Sequence, residues 1–386
     1  MNALRKHIDK IKPNFAKGSK LGFLNSTFDA FESFLFVPNK VTKGGSHVKD
    51  SVDLKRIMTA VIIAVLPAVL FGMWNIGYQH NLAIGGDMGF WPIVWYGFLK
   101  ILPLYLVSYI VGLGIEFTSA QIRGHEVNEG YLVTGMLIPL IVPVSIPLWM
   151  LALAVAFAVI IGKEVFGGTG MNIWNPALLA RAFLFFAYPG HMTGDKVWVA
   201  GLQKDAIVDC FSGATPLAQV SDGLGSIQYS FSDMFFGFIP GSVGETSTLA
   251  ILIGAFVLIY TGVGSWKTMF SCVLGALTIG FIANIFAPGE ASILAVPAYY
   301  HLVMGGFAFG AVFMATDPVS SAQTEKGKWI YGFLIGAFAV TIRLFNPGYP
   351  EGMMLAILLM NTFAPLIDYY VVEENIKKRL KRAKTV

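Results

Sequence analysis

Residues 57–76, IMTAVIIAVLPAVLFGMWNI, are twenty uncharged residues in succession. At 1.5 Å of helix rise per residue they match the ~30 Å hydrocarbon core of a bilayer. Similar runs follow at about 94–116, 131–146, 148–163, 173–188, 247–263, 267–287, 298–316, 329–343 and 353–371. The expected fold is therefore an all-α polytopic membrane protein with about ten transmembrane helices. Composition agrees. Of the 386 residues 55% are hydrophobic and only 13% charged, where a soluble chain carries roughly 25%.

The organisation expected from these runs is a polar arm over residues 1–56 and a first membrane half over 57–188. A large loop over 189–246 separates helices 5 and 6, a second membrane half spans 247–371, and a basic tail covers 372–386. Of 27 Lys and Arg, 11 fall in residues 1–56 and six in the tail. The positive-inside rule places both termini in the cytoplasm, which requires an even number of spans. The loops carrying Arg123 and His125, Lys163 and Glu164, Lys267, and Lys326 and Lys328 then lie inside. The 189–246 loop lies outside, and Arg343, near an outer end, is the misfit. Residues 1–56 are too polar and too long for a signal peptide.

Several spans are broken by Gly and Pro: the third at Pro139 and Pro143, and the stretch Phe166-Gly167-Gly168-Thr169-Gly170 before Asn175-Pro176. Unwound backbone in lipid is tolerated only where protein or a cavity satisfies it, and such breaks often line binding sites. A two-fold inverted repeat is suggested by Glu129-Gly130 followed by Pro143 and Glu351-Gly352 followed at the same spacing by Pro365. A second echo runs against that symmetry: Phe166-Gly167 leads to Asn175-Pro176, and Phe309-Gly310 to Asp317-Pro318, with both expected inside.

The cysteines, Cys210 and Cys272, lie too far apart for a disulfide framework or a thiolate metal site. No metal site is expected, and the six scattered histidines lack the pairing a bundle haem needs. His301, near a membrane edge, reads as a satisfied polar contact. No Gly-x-Gly-x-x-Gly follows a strand, so the chain offers no dinucleotide-binding fold of its own. In the long loop stands Asp209-Cys210-Phe211-Ser212-Gly213-Ala214-Thr215-Pro216. Its plain reading is a turn, with Gly213 free in φ, Ser212 and Thr215 capping, and Pro216 holding Thr215 extended. The sharper reading is an acceptor hydroxyl, because Thr215 has no bulky neighbour to obstruct a transferase.

Here the chain resembles a known family. Asp209-x-x-Ser212-Gly213-Ala214-Thr215 is similar to the site where flavin transferase links FMN to threonine in subunits of the sodium-translocating NADH:quinone oxidoreductase and the related Rnf complex. The resemblance extends over Ser46–Arg56, Lys163–Gly170, Arg181–Pro189, Met314–Ser320 and Tyr349–Met354, all similar to the B-type subunit of the sodium pump. The long basic arm and the tail Val371–Arg379 favour that pump over its relative.

The resemblance implies a ten-span redox subunit of a bacterial inner-membrane complex of six subunits. It implies FMN esterified to Thr215 on the outer side, a non-covalent riboflavin, and electrons received from the FMN of the C-type subunit and passed to ubiquinone with export of Na+. Glu116, after Gly112, stands where the family places residues acting on quinone and sodium, although Leu113 replaces one of its paired glycines. Asp317 and Asp368 are the further sodium candidates; a helix cap and an end-of-helix charge are their plainer readings. Asn172, Trp174 and Asn175 are candidate riboflavin contacts. Arg181, in an apolar run, requires either a carboxylate or a flavin edge. A channel or secondary transporter for a small solute is the alternative that broken helices equally suit.

Overall fold

The computed structural model describes residues 2–15, 54–123, 130–194, 197–201, 212–221, 227–289, 292–346 and 351–384, with scattered positions between 19 and 46. Asp209, and with it Cys210, Phe211, His125, Glu129, Lys196 and Lys204, lies outside the described residues. The described elements are helical. Helix α1 (Asn2–Ile11) belongs to the arm. The first half of the bundle comprises α2 (Leu54–Ala83), α3 (Phe90–Arg123), α4 (Tyr131–Ile141), α5 (Leu148–Val159, continued by a π-turn over Ile160–Glu164) and α6 (Pro176–Ala187). Within the loop lie two short helices, α7 (Pro216–Ser221) and α8 (Phe231–Phe236). The second half has α9 (Thr248–Tyr260), α10 (Trp266–Ile285), α11 (Tyr300–Val303), α12 (Phe307–Phe309, continued by a π-turn over Gly310–Met314), α13 (Glu325–Phe345) and α14 (Met353–Lys384).

All ten expected apolar runs are found as helical segments, but they are unequal. Five helices, α2, α3, α10, α13 and α14, are long and apolar enough to cross a membrane. The expected third span is instead an 11-residue helix, α4, ending at Ile141 before Pro143. The eighth is broken at Met304–Gly306 into α11 and α12. At 1.5 Å per residue α4 covers about 16 Å, half a bilayer core. The second span runs past its expected end at residue 116 to Arg123. Glu116 therefore lies inside a helix and not at its end.

The two halves share an order of elements: two helices, an interrupted segment, two more helices. In each half the second helix packs on the fourth and the fourth on the fifth, α3 on α5 and α5 on α6, α10 on α13 and α13 on α14. The short sequence echoes do not track this order. Gly130 opens the third element of its half and Gly352 the fifth, because a Gly preceding a helix start recurs for local reasons.

The broken ends are closed by groups from elsewhere in the chain. The amide of Gly244 donates to the Leu140 carbonyl at the end of α4 (2.8 Å). Arg343 from α13 is buried and resolves its apparent misfit: Nη1 donates to the carbonyl of His301 (2.6 Å), Nη2 to that of Met304 (2.9 Å), and Nε to that of Glu351 (3.0 Å). Part of the long loop is packed as well, with Val220, Met234 and Ile239 sharing a core with Val296, Val303 and Met304.

Backbones approach closely between α10 and α13, at two glycines. A Cβ built on Gly336 would stand 1.9 Å from the Cys272 carbonyl oxygen, and one on Gly275 2.0 Å from that of Phe333. Small residues at such crossings let helices approach where no hydrophobic drive exists between them in lipid. Gly336→Ala is expected to separate the pair and cost about 1–3 kcal/mol. A lowered melting temperature of the purified protein is the measurement, and an unchanged one would contradict this packing.

Candidate functional site

Helix α6 begins with signals readable in its sequence. Asn175 is its N-cap, its Oδ1 accepting from the amides of Ala177 (2.9 Å) and Leu178 (3.4 Å), and Pro176 occupies the first helical position. Asn361 of α14 secures this start: its amide oxygen accepts from the Asn175 N–H (3.1 Å), and its nitrogen lies 2.6 Å from the Tyr331 hydroxyl. Six residues along α6, about 9 Å at helical rise, stands Arg181. Each of these two positions lines a cavity.

The larger cavity, about 370 Å³, is lined by Arg181, Phe185, Trp198, Thr215, Ser242, Glu245, Thr246, Gly306 and Glu351 among others. Thr215 is half-buried at this cavity, preceding α7, and its Oγ1 accepts from the Ala218 amide (3.2 Å). The capping role expected of a turn threonine is thus real, and it uses an oxygen lone pair, not the hydroxyl proton. Ser212 caps its own turn by accepting from the Ala214 amide (3.3 Å), and neither it nor Gly213 or Ala214 lines the cavity.

Arg181 pairs with Glu245 and Glu351. Of the two partners left open by the sequence, it therefore takes the carboxylates. Nothing local in the sequence marks these glutamates, because 64 and 170 residues separate them from Arg181. Together the three tie α6 to the residues before α9 and α14, a brace between the halves. Thr246, one of the lining residues, keeps its Oγ1 buried with no hydrogen-bond partner among the described residues.

The smaller cavity, about 70 Å³, brings together Thr169, Asn172, Asn175, Lys163, Thr316 and Asp317 between α2, α4, α9 and the two π-turns. Asp317 accepts from the Ser320 hydroxyl (2.6 Å), and Asn172 donates to the Trp174 carbonyl (3.0 Å). Trp174 points elsewhere: its indole N–H donates to Thr362 (3.0 Å) and its ring meets Phe166 edge-on.

Glu116 is 4% exposed and forms an ion pair with Lys163, itself 3% exposed, so it is a buried, paired carboxylate inside α3. Its Oε2 has no hydrogen-bond partner among the described residues. Gly112, one turn away, is required by the Tyr131 ring, which a Cβ there would meet at 1.9 Å. Asp368 lies apart from both cavities. It accepts from the amides of Gln323 (2.7 Å) and Thr324 (3.0 Å) and from the Thr324 hydroxyl, closing the start of α13. His301 departs from expectation: it is buried, with neither ring nitrogen bonded among the described residues.

An all-helical bundle whose interrupted helices meet at two cavities, each carrying a few charged and polar side chains, defines an integral polytopic membrane protein. The family model described as NQR2, RnfD, RnfE family matches residues 41–377. The chain belongs to that family. It is 48% identical to the B-type subunit of the Na(+)-translocating NADH-quinone reductase of Ectopseudomonas mendocina, over 98% of this chain and 99% of the relative. It is 47% identical to the proteins of the same name from Chromohalobacter salexigens, over 98% and 96%, and Stutzerimonas stutzeri, over 98% and 99%.

The Arg181 brace has a measurable consequence. Arg181→Ala is expected to cost roughly 3–5 kcal/mol by leaving two carboxylates buried without their cation. Adding Glu245→Gln and Glu351→Gln should recover most of that loss. Thermal melts of the three forms check this, and equal stability of Arg181→Ala and wild type would contradict it.

Proposed function

We propose that this chain is the membrane redox subunit of a sodium-pumping NADH:ubiquinone oxidoreductase, with FMN attached through a phosphoester to Thr215. The observation carrying this reading is Thr215 at the cavity of about 370 Å³, a volume within the roughly 300–1,000 Å³ typical of small-molecule sites. The fit is supported by the lining, which offers the Trp198 ring and the Arg181 guanidinium. An ester at Thr215 consumes the hydroxyl proton and leaves Oγ1 in place above the Ala218 amide. Asp209, Ser212, Gly213 and Ala214 make up the motif presented to flavin transferase, small neighbours that leave Thr215 open.

When bound, the covalent flavin supplies one-electron transfer between the FMN-bearing C-type subunit and the onward path to ubiquinone. The protein's part is to seat that group and exclude its loss to bulk water. Arg181, already held by two carboxylates, fixes the cavity floor. Riboflavin is part of the same reading, but the smaller cavity, at about 70 Å³, has room only for a few water-sized species. Asn172, Trp174 and Asn175 therefore do not form a riboflavin pocket in this conformation, and no step is assigned through it.

That small cavity suits a cation instead. Asp317, Asn172 and Thr316 supply oxygen ligands of the type hard cations take. Asp317 is the proposed sodium carboxylate at this cavity; Glu116, which does not line it but pairs with its Lys163, and Asp368, which holds the start of α13, are the further carboxylates proposed along the ion's route. Gly112 and Glu116, on one face of α3, are the proposed quinone-side residues. The orientation proposed is both termini in the cytoplasm of a bacterial inner membrane and Thr215 outside, in a six-subunit complex.

Protein produced with flavin transferase should fluoresce as flavin on a denaturing gel under ultraviolet light, and Thr215→Ala should abolish the band. A dark wild-type band would favour the solute-channel reading.

A further inference from the structure

Lys163 is a charged side chain that the proposed function leaves without a task. It sits in the π-turn after α5, is 3% exposed, and lines the small cavity that holds Asp317 while pairing with Glu116 of α3. A buried ion pair is weak evidence for stability, since apolar residues of similar volume often serve as well. Ionisable groups at membrane depth are, by default, functional. Here the charge can be counted. Glu116 and Asp317 are two carboxylates, Lys163 is one ammonium, and the sum is one negative charge. Neighbouring Glu164 does not change it, because Arg123 pairs with it at 3.4 Å and the Ser119 hydroxyl donates to it (2.5 Å).

We propose that Lys163 is a tethered counter-cation of the Asp317 cavity, which limits the site to one monovalent ion and sets how tightly that ion is held. This rests on the sodium reading given above. Three features support it. The lysine touches one carboxylate and shares a cavity with the other, and its charge acts on Asp317. Its four-carbon stem ends in a compact charge able to redistribute between acceptors, as a guanidinium fork could not. Glu116 keeps one oxygen, Oε2, without a partner among the described residues. A cation entering at Asp317 then meets a site whose spare negative charge equals its own, and the ammonium keeps the site from binding so tightly that release fails.

The test is equilibrium binding of radioactive 22Na+ to the purified whole complex, with the flavin band recorded on the same samples. Lys163→Met raises the negative charge by one, and affinity should rise at least about tenfold. Glu116→Gln removes the spare charge, and affinity should fall at least about tenfold. The double variant Glu116→Gln with Lys163→Met restores one negative charge and should return to within about threefold of wild type.

Should Lys163→Met fail to assemble because it strands Glu116, Glu116→Gln and the double variant decide alone. A loss reversed by the second substitution supports the charge count. A loss that persists marks Glu116 as a direct ligand and overturns the proposal, as do affinities that stay within about twofold of wild type throughout. A wild-type complex that carries flavin yet binds no sodium overturns it together with the sodium reading, while leaving Thr215 untouched.

Discussion

The backbone groups that helix breaks expose within the bilayer have to find partners within the protein, and that requirement shapes the rest. In hydrocarbon an unsatisfied backbone group costs several kcal/mol, so a helix can stop midway only where something closes its end. Arg343 closes α11 through the carbonyls of His301 and Met304, and Gly244 closes α4 at Leu140. Asn361 and the Asn175 cap begin α6. With those closures in place, helices can be interrupted near the centre of the bundle, and the interruptions leave polar space that continuous helices would fill.

The same constraint places the two cavities on one helix. The start of α6 faces the Asp317 cavity and its middle faces the Thr215 cavity. At each, one cation stands with two carboxylates: Arg181 between Glu245 and Glu351 at one, Lys163 between Glu116 and the Asp317 cavity at the other. A redox group at one cavity and a cation at the other would thus share a rigid element. That proximity is a physical route by which electron arrival and ion movement could be coupled without a large motion.

Much of this is legible in the residues, and the part that is not has one cause. Runs of apolar residues locate all ten helical segments, and Asn175-Pro176 announces the start of α6 through its own capping chemistry. Gly and Pro mark where helices break. What stays hidden are contacts across long stretches of chain. Nothing local in Glu245 or Glu351 says that they close on Arg181, and 47 residues separate Glu116 from Lys163. Arg343 looks like a violation of the positive-inside rule because a buried arginine holding carbonyls cannot be told from a loop arginine by counting. Gly112 draws attention as half of a glycine pair, while the Tyr131 ring resting on it comes from the next helix. Apolar runs mislead about helix length: the second run ends at Glu116 while its helix continues to Arg123, and the third continues to residue 146 while its helix stops at Ile141.

The central claim is chemical, a flavin phosphate ester on one threonine. Mass spectrometry of the peptide spanning Thr215, prepared from native membranes, tests it most directly. The account predicts a peptide heavier by FMN less one water, with fragment ions placing the addition on Thr215. An unmodified mass from cells that possess flavin transferase would contradict it.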